Sequence, residues 1–345
     1  MDRHVGLNDR MDGPPLLDEV RPIPHGRTAR RLEWQHLHPD VRALVEEKLG
    51  SKVVRADSQG GGFTPGFASR LTGADGGGLF VKAASKQAQR GVAAAYAEEA
   101  RVQGLLPDDL PAPRLLWIHE DDRWVVLGWE SVQGGAPRRP WSTDALDACL
   151  ATLTRVHELT CVVPAGLSLV PLHQELPTLL TGWDAVGAAQ PAWPHLDEAR
   201  ALARSFETLV DAGHLVHADA RDDNFLLTRD RGALLCDWSW PGLGPRWLDV
   251  VTLLVTAHGD GLDADAALAV HPLAAEAPAD DVDAWLAALC GLMVESDTRP
   301  APASSPHLET HRRWWAAATW SWLAARRGWT LVPDARDDLG VPLPR

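Results

Sequence analysis

Three polar residues in one stretch have the types and spacing that could do chemistry. The segment His217-Ala218-Asp219-Ala220-Arg221-Asp222-Asp223-Asn224 puts a carboxylate five residues before an amide, and Asp237 follows thirteen residues after Asn224. Residues 225–227 and 233–235 are apolar, β-like pieces joined by a turn at 229–232, so a small hairpin would bring Asn224 and Asp237 to one rim. An amide oxygen beside a carboxylate suits magnesium, which takes a few hard oxygen ligands and completes its octahedron with water and substrate phosphates. Phosphoryl transfer asks mainly for in-line positioning and charge neutralisation. Asp219 would then accept or orient the proton of an attacking hydroxyl, and Arg221, on the same loop, could neutralise the transferring group. Two other readings compete. The loop could be a solvated acidic turn, or Asp219, Asp223 and Asp237 could serve a metal-dependent hydrolase that needs neither an acceptor nor a lysine.

The elements that must position these groups fall into two blocks. Residues 52–57 and 68–72 look extended and flank a glycine-rich turn, Gly60-Gly61-Gly62-Phe63-Thr64-Pro65-Gly66, and a second turn at 75–78 leads into a short strand, 79–82. An Ala- and Glu-rich helix spans about 87–106, ended by Pro107, and strands 114–119 and 123–129 share the turn Asp121-Asp122. This order is a small antiparallel sheet with one helix and not an alternating βαβ pattern. Residues 133–140, with two glycines and two prolines, read as a linker. Beyond it, helices are expected at 144–159, 195–212, 247–256, 280–295 and 307–327, interrupted by one β-like region, 215–237. A short amphipathic helix closed by Gly50 precedes the sheet. The first thirty-odd residues lack periodicity and read as a mobile or loosely docked extension, giving boundaries of 1–35, 36–132 and 133–345.

The stretch His217-Ala218-Asp219, with Asn224 five residues on, resembles the H-x-D-x-x-x-x-N catalytic loop of the kinase superfamily. Together with Asp237-Trp238 and Asp249 it is similar to the aminoglycoside phosphotransferase family of antibiotic and metabolite kinases. The likeness runs from about Gly60 to Trp322, and its most specific motifs lie between Leu215 and Thr252. It implies an α+β, bilobal, protein-kinase-like fold with a small antiparallel-sheet N-lobe and a larger, mainly helical C-lobe. It further implies ATP and magnesium between the lobes and an acceptor alcohol on the helical lobe. Two departures stand out. Ala218 replaces a usual glycine, tolerable only if the backbone there needs no positive φ. Ser239 replaces the glycine that follows the metal-binding Asp in protein kinases.

The resemblance also assigns partners in the first block. Lys82, ending a strand after a glycine-rich hairpin, would reach the α- and β-phosphates. The chain has only four lysines among 33 basic residues, so one kept here is informative, because a guanidinium fork does not replace a compact ammonium. Lys86 is the competitor but looks solvent-facing. Glu99 would hold the lysine, in preference to Glu98, since it lies within the helix arc of Ala95, Val102 and Leu106. The glycine loop fails as a Walker loop, because Phe67-Ala68 stands where Lys-Ser/Thr is required, and Pro65 breaks a dinucleotide fingerprint. What remains is a flexible flap whose Gly61, Gly62, Phe63 and Thr64 N–H groups would cover a triphosphate. Backbone groups near Glu130 and Val132, after the strand 125–127, would read the adenine edge.

Composition narrows the partners. Acidic residues exceed basic ones by 14, which argues against nucleic acid and fits a cationic small molecule as well as it fits a plain solvated surface. The four cysteines form no C-x-x-C pair, so they read as reduced thiols. No stretch is long and apolar enough for a membrane span and no hydrophobic leader stands at the N-terminus, so a cytoplasmic protein is expected. Trp314, Trp315, Trp320 and Trp322 read as core rather than as a stacking face. The expected function is ATP- and magnesium-dependent phosphorylation of a small-molecule hydroxyl, on an aminoglycoside or other antibiotic. A metabolite alcohol such as choline or homoserine, or a nucleotide-binding module without catalysis, are the alternatives.

Overall fold

The computed structural model describes residues 28–209 and 212–330, together with Pro14 and Leu17. The first unit is a five-stranded antiparallel sheet of order β1-β2-β3-β5-β4, built from β1 (Val53–Ser58), β2 (Phe67–Gly73), β3 (Gly78–Ser85), β4 (Leu115–Glu120) and β5 (Trp124–Glu130). Two helices cover its faces. Helix α1 (Pro39–Leu49) starts with proline at its first turn and ends at Gly50 in the left-handed conformation, φ 77°. Its Val41 and Val45 pack on Phe67, Leu71, Val81 and Val126 of the sheet. Helix α2 (Arg90–Gln103) lies on the other face against β3 and β5, where Ala93, Tyr96 and Ala100 meet Ala84, Val125, Leu127 and Trp129.

Most of the second unit is helical. Its described elements are β6 (Gly134–Gly135), α3 (Thr143–Thr160), α4 (Leu172–Glu175), α5 (Thr178–Ala189), α6 (Leu196–Ser205), β7 (His214–Val216), β8 (Phe225–Thr228), β9 (Ala233–Leu235), β10 (Gly242–Gly244), α7 (Leu248–Gly259), α8 (Ala264–Val270), α9 (Ala279–Asp297) and α10 (Leu308–Arg327). Helix α9 is the central post, packed by α5, α6 and α10. Trp183, Trp193 and Trp320 interlock around it with ring centroids 5.5–5.7 Å apart, and the Trp183 indole donates to the Ala287 carbonyl at 2.8 Å. Trp314, Trp315, Trp320 and Trp322 are all core residues. Two small sheets, β10-β7 and β6-β8-β9, sit on the face toward the first unit.

The structure amends several expectations. Strand β3 runs to Ser85, with Lys82 opposite Leu127 of β5, so Lys82 is mid-strand and not at a strand end. Residues 133–140 are not a free linker. Gly134 and Gly135 pair with β8, and the Arg139 guanidinium is clasped by Asp222 at 3.2 Å, by Asp260, and by the Thr256 carbonyl at 2.9 Å while stacking on Trp314. Helix α6 stops at Ser205 and continues only as a 3-10 turn. The extension lies mostly outside the described residues, but its end is docked, with Thr28 buried against the Gly60 carbonyl.

Helix α5 was not expected, because Gly182 and Gly187 weaken its intrinsic propensity. Tertiary packing supplies the reason for Gly182: a Cβ there would lie 2.6 Å from the Gly291 carbonyl group on α9. Backbone cannot yield as a side chain can. Gly182→Ala is therefore expected to cost about 1–3 kcal/mol, read as a lowered urea midpoint with an unchanged slope.

Candidate active site

Four segments converge on the cleft between the units. From β3 comes Lys82, whose Nζ lies 2.7 Å from both Glu99 carboxylate oxygens and 3.4 Å from Asp237 Oδ1. Glu99 projects from the sheet-facing side of α2 and is 2% exposed, whereas Glu98 faces solvent and pairs with Arg101. Burial works against the Lys82 charge, but the Asp237 and Glu99 carboxylates more than offset it and raise its pKa, so the group is an ammonium at any physiological pH. Lys86 instead bonds Glu120 at 2.7 Å, at the edge of the sheet.

The loop after β7 carries Asp219, and its shape is fixed from below. The Asp249 carboxylate, at the start of α7, accepts the His217 N–H at 2.7 Å and the Ala218 N–H at 2.9 Å. Burial lowers the pKa of His217 and keeps it neutral. Its Nε2 donates to the Cys236 carbonyl at 2.9 Å and its Nδ1 accepts the Asp219 N–H at 3.3 Å, the tautomer following from those partners. Ala218 has φ 66°, so the position does adopt the conformation that favours glycine, and alanine holds it against a local penalty of about 1–2 kcal/mol. Asp237 has φ 64° and shares that region.

Asn224 and Asp237 flank the β8–β9 hairpin, whose register sets Phe225 opposite Leu235, and the Cys236 N–H bonds the Asn224 carbonyl at 2.8 Å. The Asn224 amide nitrogen donates to the Asp219 backbone carbonyl at 2.8 Å and to Asp219 Oδ2 at 2.9 Å, which leaves its side-chain oxygen as the free end. Burial tends to raise the Asp237 pKa, but Lys82 and the Ser239 hydroxyl, 2.7 Å from Oδ1, hold it down at about 2. Its Oδ2 has no hydrogen-bond partner among the described residues. One amide oxygen and one permanently ionised carboxylate oxygen, both uncommitted, fit a magnesium ion that keeps substrate phosphates in its remaining positions. Among the described residues no cluster of three or more His, Cys, Asp or Glu side chains could hold a metal by itself.

Arg221 is not placed as expected. Its Nε lies 3.1 Å from Asp219 Oδ1 and 3.2 Å from Asp223 Oδ1, and its Nη1 lies 3.2 Å from His311 Nε2. The guanidinium is thus engaged by its own loop's carboxylates. Burial raises the Asp219 pKa to about 6, with Arg221 pulling it down and Asp223 and Asp237 pushing it up. Asp223 belongs to the Arg221 pair, an arrangement unlike a metal-ligand set.

The glycine loop is not a free flap. Thr28 bonds the Gly60 and Gly62 carbonyls, Arg31 the Gly61 and Gly66 carbonyls at 2.7 and 3.1 Å, Ser305 the Phe63 carbonyl at 2.7 Å, and Gln89 the Pro65 carbonyl at 3.1 Å. Among the described residues, the N–H groups of Gly61, Gly62, Phe63 and Thr64 donate to no partner. A loop with its carbonyls tied back and its N–H groups uncommitted is an anion cradle. The Phe63 ring lies 4.3 Å from the His311 ring and 5.9 Å from the Arg221 guanidinium, so the loop tip rests on the catalytic loop's arginine. His311, a buried α10 residue, was missed because a lone histidine 90 residues downstream carries no sequence signal. At the inter-unit junction, the Glu130 N–H is used by the Arg114 carbonyl at 3.0 Å and its carboxylate by Arg231 at 2.8 Å. The N–H and carboxylate of Glu130 are therefore both committed within the protein.

A two-unit fold with a lysine–glutamate pair, a loop aspartate and a hairpin Asn–Asp pair defines a kinase-like phosphotransferase. A model of the phosphotransferase enzyme family matches residues 66–282, and the chain belongs to that family of small-molecule kinases. No curated protein matches the chain. Among solved structures it is similar to a choline kinase from Streptococcus pneumoniae, with 13% identity, a TM-score of 0.56, and coverage of 83% of this chain and 99% of that one. It is also similar to the spectinomycin phosphotransferase APH(9)-Ia bound to ADP and spectinomycin, with 12% identity, a TM-score of 0.55, and coverage of 82% and 97%. A third is a thermostable mutant of the aminoglycoside phosphotransferase APH(4)-Ia with ADP and hygromycin B, with 17% identity, a TM-score of 0.53, and coverage of 84% and 100%. At these identities the likeness is one of fold.

The buried pair makes a contrast available. Glu99→Ala leaves the Lys82 charge short of its nearest partner and is expected to cost about 3–5 kcal/mol, whereas Glu98→Ala should stay within about 0.5 kcal/mol. Urea unfolding of the two variants checks it, and equal midpoints would contradict the burial argument.

Proposed function

We propose that the protein transfers the γ-phosphoryl group of ATP to a hydroxyl of a small molecule, with an aminoglycoside or other hydroxylated antibiotic as acceptor. The observation that carries this reading is the convergence on one cleft of an ammonium, an ionised carboxylate, a free amide oxygen and a second acid. Residues 36–132 would hold the nucleotide and residues 133–345 the acceptor. The Gly61, Gly62, Phe63 and Thr64 N–H groups would cover the phosphates, Lys82 held by Glu99 would meet the α- and β-phosphates, and the Glu130 carbonyl and Val132 N–H would face the adenine. Asn224 and Asp237 would hold magnesium, which when bound supplies charge neutralisation on the β- and γ-phosphates.

Asp219 orients the acceptor hydroxyl and takes its proton as the oxygen–phosphorus bond forms. Its raised pKa suits that duty, since a carboxylate near 6 is ionised at neutral pH yet more basic than a solvated one. Asn224 fixes the carboxylate through Oδ2, and Arg221 steadies it from the other oxygen. The antibiotic acceptor rests on the family and on neighbours crystallised with spectinomycin and hygromycin B. The choline kinase among the neighbours makes a metabolite alcohol the second reading. An acidic chain fits the cationic members of either class. Among the described residues no helix is long and apolar enough to cross a membrane.

Incubation with ATP, magnesium and a panel of aminoglycosides, other antibiotics, choline and homoserine, read by a mass gain of one phosphate, tests the reaction and separates the acceptors. Phosphate release without any acceptor would favour hydrolysis. Asp219→Ala should lower kcat by roughly 10²–10⁴-fold, and near-full activity would remove its role. Because the base form is needed, kcat/KM should rise with pH through about 6 and level off above it. Asp237→Ala should abolish magnesium-dependent ATP binding in a calorimetric titration.

A further inference from the structure

Tyr96 is the chain's single tyrosine, 2% exposed on α2. Its hydroxyl has no hydrogen-bond partner among the described residues. A buried hydroxyl left unpaired is destabilising, and such groups in native proteins call for an explanation, a bound water, an ion or a functional partner among them. A phenylalanine would fill the same space without that cost, so packing alone does not account for the oxygen.

Its surroundings say what the partner would be. Tyr96 stands three residues before Glu99, on the same face of α2. The Lys82 ammonium lies 5.4 Å from its ring centroid. The hydroxyl reaches the root of the glycine loop: a Cβ at Gly66 would fall 2.3 Å from it, so the phenol fills the place where any other residue would carry a side chain. On the Gly66 carbonyl sits the Arg31 guanidinium. A buried donor at the root of a loop whose N–H groups are uncommitted, with an ammonium against its ring and a guanidinium on the adjoining carbonyl, is matched to an anion. Burial raises the phenol's pKa, which keeps the proton on the oxygen.

We propose that the Tyr96 hydroxyl donates a hydrogen bond to a phosphate oxygen of the bound nucleotide, and that position 66 is glycine because this hydroxyl occupies its side-chain space. The assignment rests on the nucleotide reading above and adds to it a ligand from α2 that lies outside the glycine loop and the lysine–glutamate pair. Tyr96→Phe removes one oxygen and nothing else. Calorimetric titration of the full chain and of this variant with ADP and with adenosine, in magnesium, separates the outcomes. ADP affinity should fall about tenfold while adenosine affinity stays the same, and the nucleotide-free variant should melt at the same temperature or higher. Equal ADP affinity in the two proteins overturns the assignment and leaves the nucleotide reading standing. An equal loss for ADP and adenosine overturns it as well, since the phosphate would not be the partner. Failure of the unaltered chain to bind ADP overturns both.

Discussion

The structure turns on one buried cation. Lys82 is 12% exposed in its side chain, and an ammonium withdrawn that far from water has to be matched by carboxylates in good geometry. Its two partners come from elements far apart in the chain: Glu99 from α2 and Asp237 from the hairpin of the second unit. The pairing therefore couples α2, the sheet and the hairpin, because displacing any one of them strands a charge. The same interaction prepares the hairpin electrostatically, since the ammonium holds the Asp237 carboxyl ionised down to about 2. The ion-pair network thus ties the two units together at the cleft and keeps an anionic oxygen available where a divalent ion would need it.

Around that pair, preorganisation is achieved by giving each loop's other valence something to do. The glycine loop has its carbonyls bound by Thr28, Arg31, Gln89 and Ser305, so its orientation does not have to be selected when an anion arrives. Two of those donors precede α1 and one lies between α9 and α10, which makes the loop's posture a property of the whole chain. The catalytic loop follows the same rule, with Asp249 accepting two of its N–H groups and Asn224 directing its donor end at Asp219. Fixed dipoles of this kind stabilise developing charge without reorganising during the reaction.

How much of this could be seen in the sequence depends on whether the signal was local. Asp219, Asn224 and Asp237 were legible because a fixed spacing and a hairpin of apolar pieces place them together in 19 positions of chain. The choice of Glu99 over Glu98 was legible from helix phase, which decides direction irrespective of partners. Lys82 was identified while its strand was ended too early, since Ala83 and Ala84 have little strand propensity and are held by pairing with Phe67, Val125 and Val126. The surroundings of Arg221 were only partly within reach, since beside Asp219 and Asp223 of its own loop it meets His311 from a helix 90 residues away and Phe63 from the other unit. Helix α5 was hidden by glycines that its contacts with α9 and α6 explain, and residues 133–140 looked like a linker because composition does not reveal the acids that clasp Arg139.

Ala218 shows where local rules and function part. A glycine would relax into φ 66° without the penalty an alanine meets, so composition alone argues for the turn being remade. It is not remade because both neighbouring amides are fixed, the Ala218 N–H by Asp249 and the Asp219 N–H by His217. Asp237, at φ 64°, is held just as firmly by Ser239 and Lys82. The two strained non-glycine positions of the site lie on neighbouring loops of the second unit, joined by the His217–Cys236 hydrogen bond, and each is over-determined by hydrogen bonds to buried groups. Strain of this size persists only where the surroundings leave no alternative. The rigid surroundings that tolerate it are the same ones that hold the acids in register, so the local cost and the fixed geometry have a single physical origin.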